Sequence, residues 1–417
     1  MQQNAQEKAV GNRWVPVMAG VVIQLCLGTI YIWGVFQPAI VELFDWPQAT
    51  ASLTFSLVLA FFVCGSTIGG MIQDKLSPKP VIIGGGIVLG IGVFLASFTT
   101  ADRPWWLWIT YGVIGGFGMG TTYTTIIACC QKWFPDKRGL ITGLIVSALG
   151  FGGFIFTPVA RALISRDVLQ TFVWFAIIFA SVCIIGALFI KDPPEGYKPE
   201  GWTPPAAKNG VTAKSYTTAE MVRTPQFYVV TFSLLLACAA GLMVIPFASV
   251  LGAQGGLSPV AATSGVMIIS LFNSFGRLFW GAMSDRLGRR NTVFGLLVVA
   301  GVCMLFLAQA QGYAILALIA VVAFAYGGYL GVYPAITADF WGLRNMGMNY
   351  GLILLGFGVS AVGSSYVAGY IRDLTGGFHG SFLIAAIASF VGAVLVFFLK
   401  APAEVPIAEE TEVALEQ

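Results

Sequence analysis

Leu271–Arg290 reads LFNSFGRLFWGAMSDRLGRR. Arg277 follows a mostly apolar run, Val266 to Phe275, and precedes Leu278, Phe279 and Trp280. The run is apolar enough to lie in a bilayer, which puts a guanidinium at membrane depth. A charge there costs about 2.5–3.5 kcal/mol on insertion scales, and it is kept where it faces a wet cavity, a partner or a ligand. Asn273 lies four residues earlier, on the same helical face. Two readings follow. Arg277 is a structural tether satisfied by backbone carbonyls and Asn273, or it is an anion-binding residue whose planar fork of donors suits a carboxylate.

The composition supports the bilayer. The 417 residues are 57% hydrophobic and 10% charged, with a mean hydropathy of +0.83. Soluble globular chains carry about 25% charged residues, so the chain reads as an all-α integral membrane protein. The net charge of +3 is small and its basic residues are scattered, which argues against nucleic acid. The seven cysteines (26, 64, 129, 130, 183, 238, 303) all fall in apolar segments without a C-x-x-C. They read as free thiols, with no disulfide and no metal site. Nor is there a small-residue cleavage pattern ahead of the first long apolar run, so no cleaved signal peptide is expected.

About twenty apolar residues span a bilayer, and twelve such runs are present: about 15–38, 52–72, 80–100, 105–130, 139–164, 168–190, 227–252, 260–284, 291–311, 313–338, 348–371 and 380–399. The Pro-, Lys- and Glu-rich stretch between the sixth and seventh predicts a linker. The expected organisation is a six-helix bundle over 1–190, a cytoplasmic linker over 191–225, a second bundle over 226–400 and a disordered acidic tail over 401–417. Seventeen of the 22 Lys and Arg fall on the linker's side of the twelve runs; Arg103, Arg161, Arg166 and Arg372 fall on the other, and Arg277 is left over. This asymmetry predicts cytoplasmic termini and linker. All 19 acidic residues lie in loops, linker, tail or at helix ends, so the chain has no mid-helix carboxylate for Arg277.

The halves repeat. Gly70-x-x-x-Asp74-Lys75-x-Ser-Pro-Lys79 follows the second run, and Gly281-x-x-x-Asp285-Arg286-x-Gly288-Arg289-Arg290 follows the eighth, 211 residues later. Phe134-Pro-Asp-Lys-Arg138-Gly139 follows the fourth run. Phe340-Trp-Gly-Leu-Arg344-x-x-Gly347 follows the tenth, 206 residues later. Duplicated bundles of this size place a substrate site near the midplane between the halves. Asp74, Asp285, Arg286 and Arg289 are expected to form a conformational latch, by charge pairs (Asp285 with Arg289 or Arg290, Asp74 with Lys75) or by capping neighbouring helices.

Twelve helices, a central loop and G-x-x-x-D-R-x-G-R-R after helices two and eight resemble the major facilitator superfamily. The first copy of that motif is degenerate, with Lys75 for Arg and Ser77-Pro78 for the glycine step. Gly11-Asn-Arg-Trp14, Trp133-Phe-Pro-Asp-Lys-Arg-Gly139, Glu220-Met-x-Arg-Thr-Pro-Gln-Phe227 and the helix-eight arginine resemble the branch of oxalate/formate antiporters and related monocarboxylate transporters. The resemblance runs from about residue 11 to 400 and implies helices 1, 4, 7 and 10 around a central cavity. Helix one offers Tyr31, Trp33 and Phe36, helix four Tyr123, helix ten Tyr326, Tyr329 and Tyr333, and helix eleven Asn349, Tyr350 and Phe357. Tyr31, Tyr123 and Tyr326 match positions where the antiporters have aromatics around substrate. Where those antiporters carry a lysine in helix eleven, this chain has Phe357.

One cation balances one carboxylate; a dianion would leave a net buried charge costing several kcal/mol. The expected cargo is therefore a small monocarboxylate of the lactate or pyruvate kind. It would be held by Arg277 and Asn273 with Tyr31, Tyr123, Tyr326 and Phe357 as the wall, and moved by alternating access. Proton-linked relatives carry an aspartate where this chain has Asn273, and the only histidine, His379, is the possible proton-coupling group. Proton symport is the first reading and anion exchange the second. No paired carboxylates suggest an enzyme and no charged ring suggests a channel. No cofactor is expected, and the partners are the carboxylate, protons and the lipid bilayer around a monomer.

Overall fold

The computed structural model describes residues 12–194, 196–199, 202 and 215–402. The acidic tail beyond Pro402 and most of the linker lie outside them. Twelve helices are long and apolar enough to cross a membrane: α1 Trp14–Phe44, α2 Thr50–Lys75, α3 Pro78–Ala96, α4 Pro104–Trp133, α5 Arg138–Ile164, α6 Val168–Ala187, α7 Pro225–Gln254, α8 Val260–Leu287, α9 Arg289–Leu307, α10 Tyr313–Trp341, α11 Met346–Arg372 and α12 His379–Phe397. Apolar side chains cover their outward faces, with Val260, Phe306, Val359 and Phe398 all more than half exposed. Water would not tolerate that surface, but lipid does. The chain is a multi-pass integral membrane protein of two pseudo-symmetric six-helix halves.

Local chemistry sets the breaks. In α1 a 3₁₀ turn over Gly28–Ile32 separates Trp14–Leu27 from Trp33–Phe44. In α7 a 3₁₀ turn over Ile245–Phe247 contains Pro246, which has no N–H to continue the ladder. The two breaks occupy comparable places in the two halves. Sequence reading ends the first helix at Pro38, but it runs on to Phe44 and stops at Asp45, whose left-handed φ of 51° lets its N–H close on Val41. Pro38 sits inside the helix and loses only its own ladder bond.

The halves meet along α5–α8 and α2–α11, with α10 also on α5 and α11 on α4. These seams are tight on the linker side. A Cβ on Gly143 would stand 2.6 Å from the Arg277 carbonyl, and Gly139, Gly70 and Gly347 face partner backbone as closely. Toward the opposite face the seams open. Above Gly150, Phe154, Pro158 and Arg161 of α5 are exposed, as are Met267 and Ser270 of α8. On α11 the last glycine against α2 is Gly358, beside Val63; at Gly363 and Gly369 a Cβ would meet nothing within 4 Å. The molecule is closed at the linker face and parted at the other.

Candidate functional site

Arg277 is 1% exposed. It stands ten residues from the linker end of α8, about 15 Å along the helix at 1.5 Å per residue. Its Nε donates to Asn273 Oδ1 at 3.0 Å and its Nη1 to the Val146 carbonyl at 3.0 Å. Asn273 belongs to the same helix, whereas Val146 is on α5 of the other half. The second bond therefore crosses the seam. Gly143 of α5 and Gly331 of α10 both lie against the Arg277 carbonyl, so any side chain at either position would lift its helix off α8. Both bonds of the tether reading are present. Their acceptors are neutral, so they orient the guanidinium without cancelling its charge.

Buried tyrosines stand on the helices around α8. Tyr123 of α4 is 3% exposed and its hydroxyl lies 3.3 Å from that of Tyr350 on α11, a second hydrogen bond between halves. Gln24 of α1 donates to the Tyr123 carbonyl at 3.4 Å, and the Phe62 ring of α2 is tilted against the Tyr123 ring at 5.0 Å between centroids. Tyr350 and Cys238 of α7 lie within electrostatic reach of Arg277. Tyr326 of α10 is buried with its ring on Gly241 of α7. Phe357 is buried on α11, seven residues and so about 10 Å beyond Tyr350 on the same face. The backbone of Tyr31 lies in the 3₁₀ turn of α1, but its side chain is outside the described set.

Other aromatics of the same helices turn elsewhere. Trp33 tilts on Tyr111, and Phe36 stacks on Phe172 inside the N-terminal half. Tyr333 hydrogen-bonds Ser233 at 2.8 Å inside the C-terminal half. Asn349 faces the linker, accepting from Thr218 at 2.8 Å. His379 opens α12, exposed, at the end of the molecule away from the linker and from Arg277. Tyr350, which the sequence offers among the helix-eleven groups but does not place against the cargo, is a central residue here. Its signal is its place one residue after Asn349, on a different face of α11.

The motif residues cap across the seams. Asp285 accepts from Gly139 N at 3.0 Å and Leu140 N at 2.9 Å, the first turn of α5, and pairs with Arg289 at 2.6 Å. Asp74 accepts from Gly347 N at 3.0 Å and Met348 N at 2.8 Å, the first turn of α11. An anion at a helix N-terminus satisfies orphan amides and the helix dipole together. No ion pair of Asp74 with Lys75 is among the described residues. Asp339 of α10, absent from the expected latch, pairs with Arg138 at 2.8 Å and Arg289 at 2.9 Å. Arg286 is exposed and joins none of these bonds.

A family model described as Major Facilitator Superfamily matches residues 18–271 and 230–415. The chain is 33% identical over 355 residues to the "Uncharacterized MFS-type transporter YhjX" of Escherichia coli (strain K12), covering 84% of this chain and 86% of that one. It is 28% identical over 398 residues to the "Oxalate:formate antiporter" of Oxalobacter formigenes, covering 94% and 92%. To "Monocarboxylate transporter 13" of Rattus norvegicus it is 26% identical over 370 residues, covering 87% and 82%. A crystal structure of the transporter FucP in the outward conformation superposes with a TM-score of 0.71 at 16% identity, covering 93% of this chain and 99% of that one.

Proposed function

The chain belongs to the Major Facilitator Superfamily, a secondary transporter and not an enzyme, and on that premise we propose that it carries small monocarboxylates by alternating access, with Arg277 binding the carboxylate. The observation that carries this reading is the position of Arg277. It is a buried cation between the halves, oriented by Asn273 and Val146, with the Tyr123–Tyr350 hydroxyl pair also crossing between the halves. A carboxylate offers a guanidinium a stronger acceptor than a backbone carbonyl does. Taking the place of Val146 would release one tie between the halves. Relatives named for oxalate, formate and monocarboxylates support the substrate class. Phe357 leaves a single cation in place of two, which favours one carboxylate over two.

With the Lys- and Arg-rich face in the cytoplasm, the molecule sits in the inner membrane with both termini inside. The parted seams then face outward. Moving an anion into a negative interior costs about 2.3 kcal/mol per 100 mV, so proton coupling is the first reading. Asn273 carries no proton, so the proton would enter with the carboxylate. Exchange is the second reading, favoured by 28% identity to the antiporter across 94% of the chain. Uptake of labelled carboxylates into vesicles separates the two. Symport predicts lactate accumulation in empty vesicles under an inward proton gradient, collapsed by a protonophore. Accumulation only after internal anion preload means exchange. If no carboxylate moves under either condition, the substrate class is wrong.

A further inference from the structure

The parted seams end in two arginines that the central site does not use. Arg161 stands 18 residues beyond Gly143 on α5, five full turns, and so on the face that meets α8 lower down. Below Gly150 that face is packed against α8; above it, Phe154, Pro158 and Arg161 are exposed. Arg372 stands 25 residues beyond Gly347 on α11, about seven turns, and so on the face that meets α2. It is exposed, with its guanidinium 5.5 Å from the Phe378 ring, and a Cβ on Gly369, one turn below, would meet nothing within 4 Å. The two arginines are 211 residues apart, the offset of the repeated loop motif. Each half therefore places a cation at the rim of its open seam. Neither makes an ion pair among the described residues. Of the acidic residues on this face, Asp102 pairs with Arg103 and Asp167 caps α6, while Glu42 and Asp45 close α1 and Asp373 follows Arg372 in sequence.

We infer that Arg161 and Arg372 form an anion-capture rim, drawing small organic anions into the slot that leads to Arg277. The inference rests on the carboxylate reading for its cargo, and its chemistry is that of two exposed guanidinium forks on low-dielectric walls. Such walls focus the field and raise local anion concentration and on-rates, with an effect that fades in salt.

The test uses the full-length protein with Cys64, the exposed thiol, changed to serine and Ser270→Cys in the slot. The rate of modification by a sulfonate-bearing methanethiosulfonate is compared with that by its trimethylammonium analogue. Combining Arg161→Gln with Arg372→Gln should lower the sulfonate-to-ammonium ratio about three- to ten-fold at low salt, and should remove most of its dependence on ionic strength. Arg161→Lys with Arg372→Lys should keep both. The glutamine pair should also raise the KM for labelled lactate. A ratio unchanged by the glutamine pair, or a Ser270→Cys protein unreactive to both reagents, overturns the rim. The thiol ratio reads the rim without any transport, so a wild type that moves no lactate would count against the central reading alone.

Discussion

At the scale of single residues the proposed chemistry rests on Arg277 and the residues that hold it. Asn273 holds Nε at 3.0 Å, so Asn273→Asp sets a carboxylate against the guanidinium in competition with cargo. With that carboxylate on the guanidinium, lactate affinity should fall by about ten-fold or more. As pH falls and the aspartate is neutralised affinity should recover, a steeper pH dependence than that of the wild type. Binding curves that superpose on wild type at every pH would separate Asn273 from the cargo. Phe357 sits about two turns from Tyr350 on one face of α11. Phe357→Lys adds a second cation, so preference should shift from lactate toward oxalate in competition uptake. Unchanged preference would remove charge count as the basis of selectivity. Arg277 stands out in sequence because a mid-helix charge is rare. Tyr350 does not, because a tyrosine in a membrane helix has many uses and only the fold turns it toward Tyr123.

The helices explain how a small displacement at Arg277 becomes a movement of the whole. α5 and α8 touch through Gly139, Gly143 and Gly281, and their register is set by Asp285 on the first amides of α5. Asp285→Asn keeps the shape but loses the charge and its pairing with Arg289. Losing charge-assisted bonds of this kind costs about 1.5–3 kcal/mol each, which favours the state with this seam open. Lower reactivity of a cysteine placed at Ser270, together with slower uptake, is the expected outcome; unchanged reactivity would show that the cap does not bias the states. The twelve apolar runs and the motif repeat made this frame legible in advance. Two features were not. Helix one passes Pro38 because a proline removes one ladder bond, a loss that the segment's buried face of Trp33, Phe36 and Ile40 offsets. Asp339 joins the latch because its partners, Arg138 and Arg289, arrive from two other helices, and no spacing within a single helix records that.

At the scale of the molecule, the duplicated halves, tight at the linker face and parted at the other, are the form a rocking carrier needs. Within that form Arg277 bonds Val146 across the seam, and Tyr123 meets Tyr350 across it as well. A cargo carboxylate that takes over the guanidinium would couple binding to the opening of the linker face. The repeat and the cation were readable from sequence, but the cross-seam bonds were not, since they depend on how the halves close. Counterflow of labelled lactate in proteoliposomes tests the claim most directly, because it requires both binding and reorientation but no net driving force. Wild type preloaded with unlabelled lactate should show transient accumulation of label. Arg277→Ala should show none, and Arg277→Lys only a small fraction, since a point charge lacks the fork. Near-normal counterflow by Arg277→Ala, in a protein that elutes as a folded species, would contradict the account.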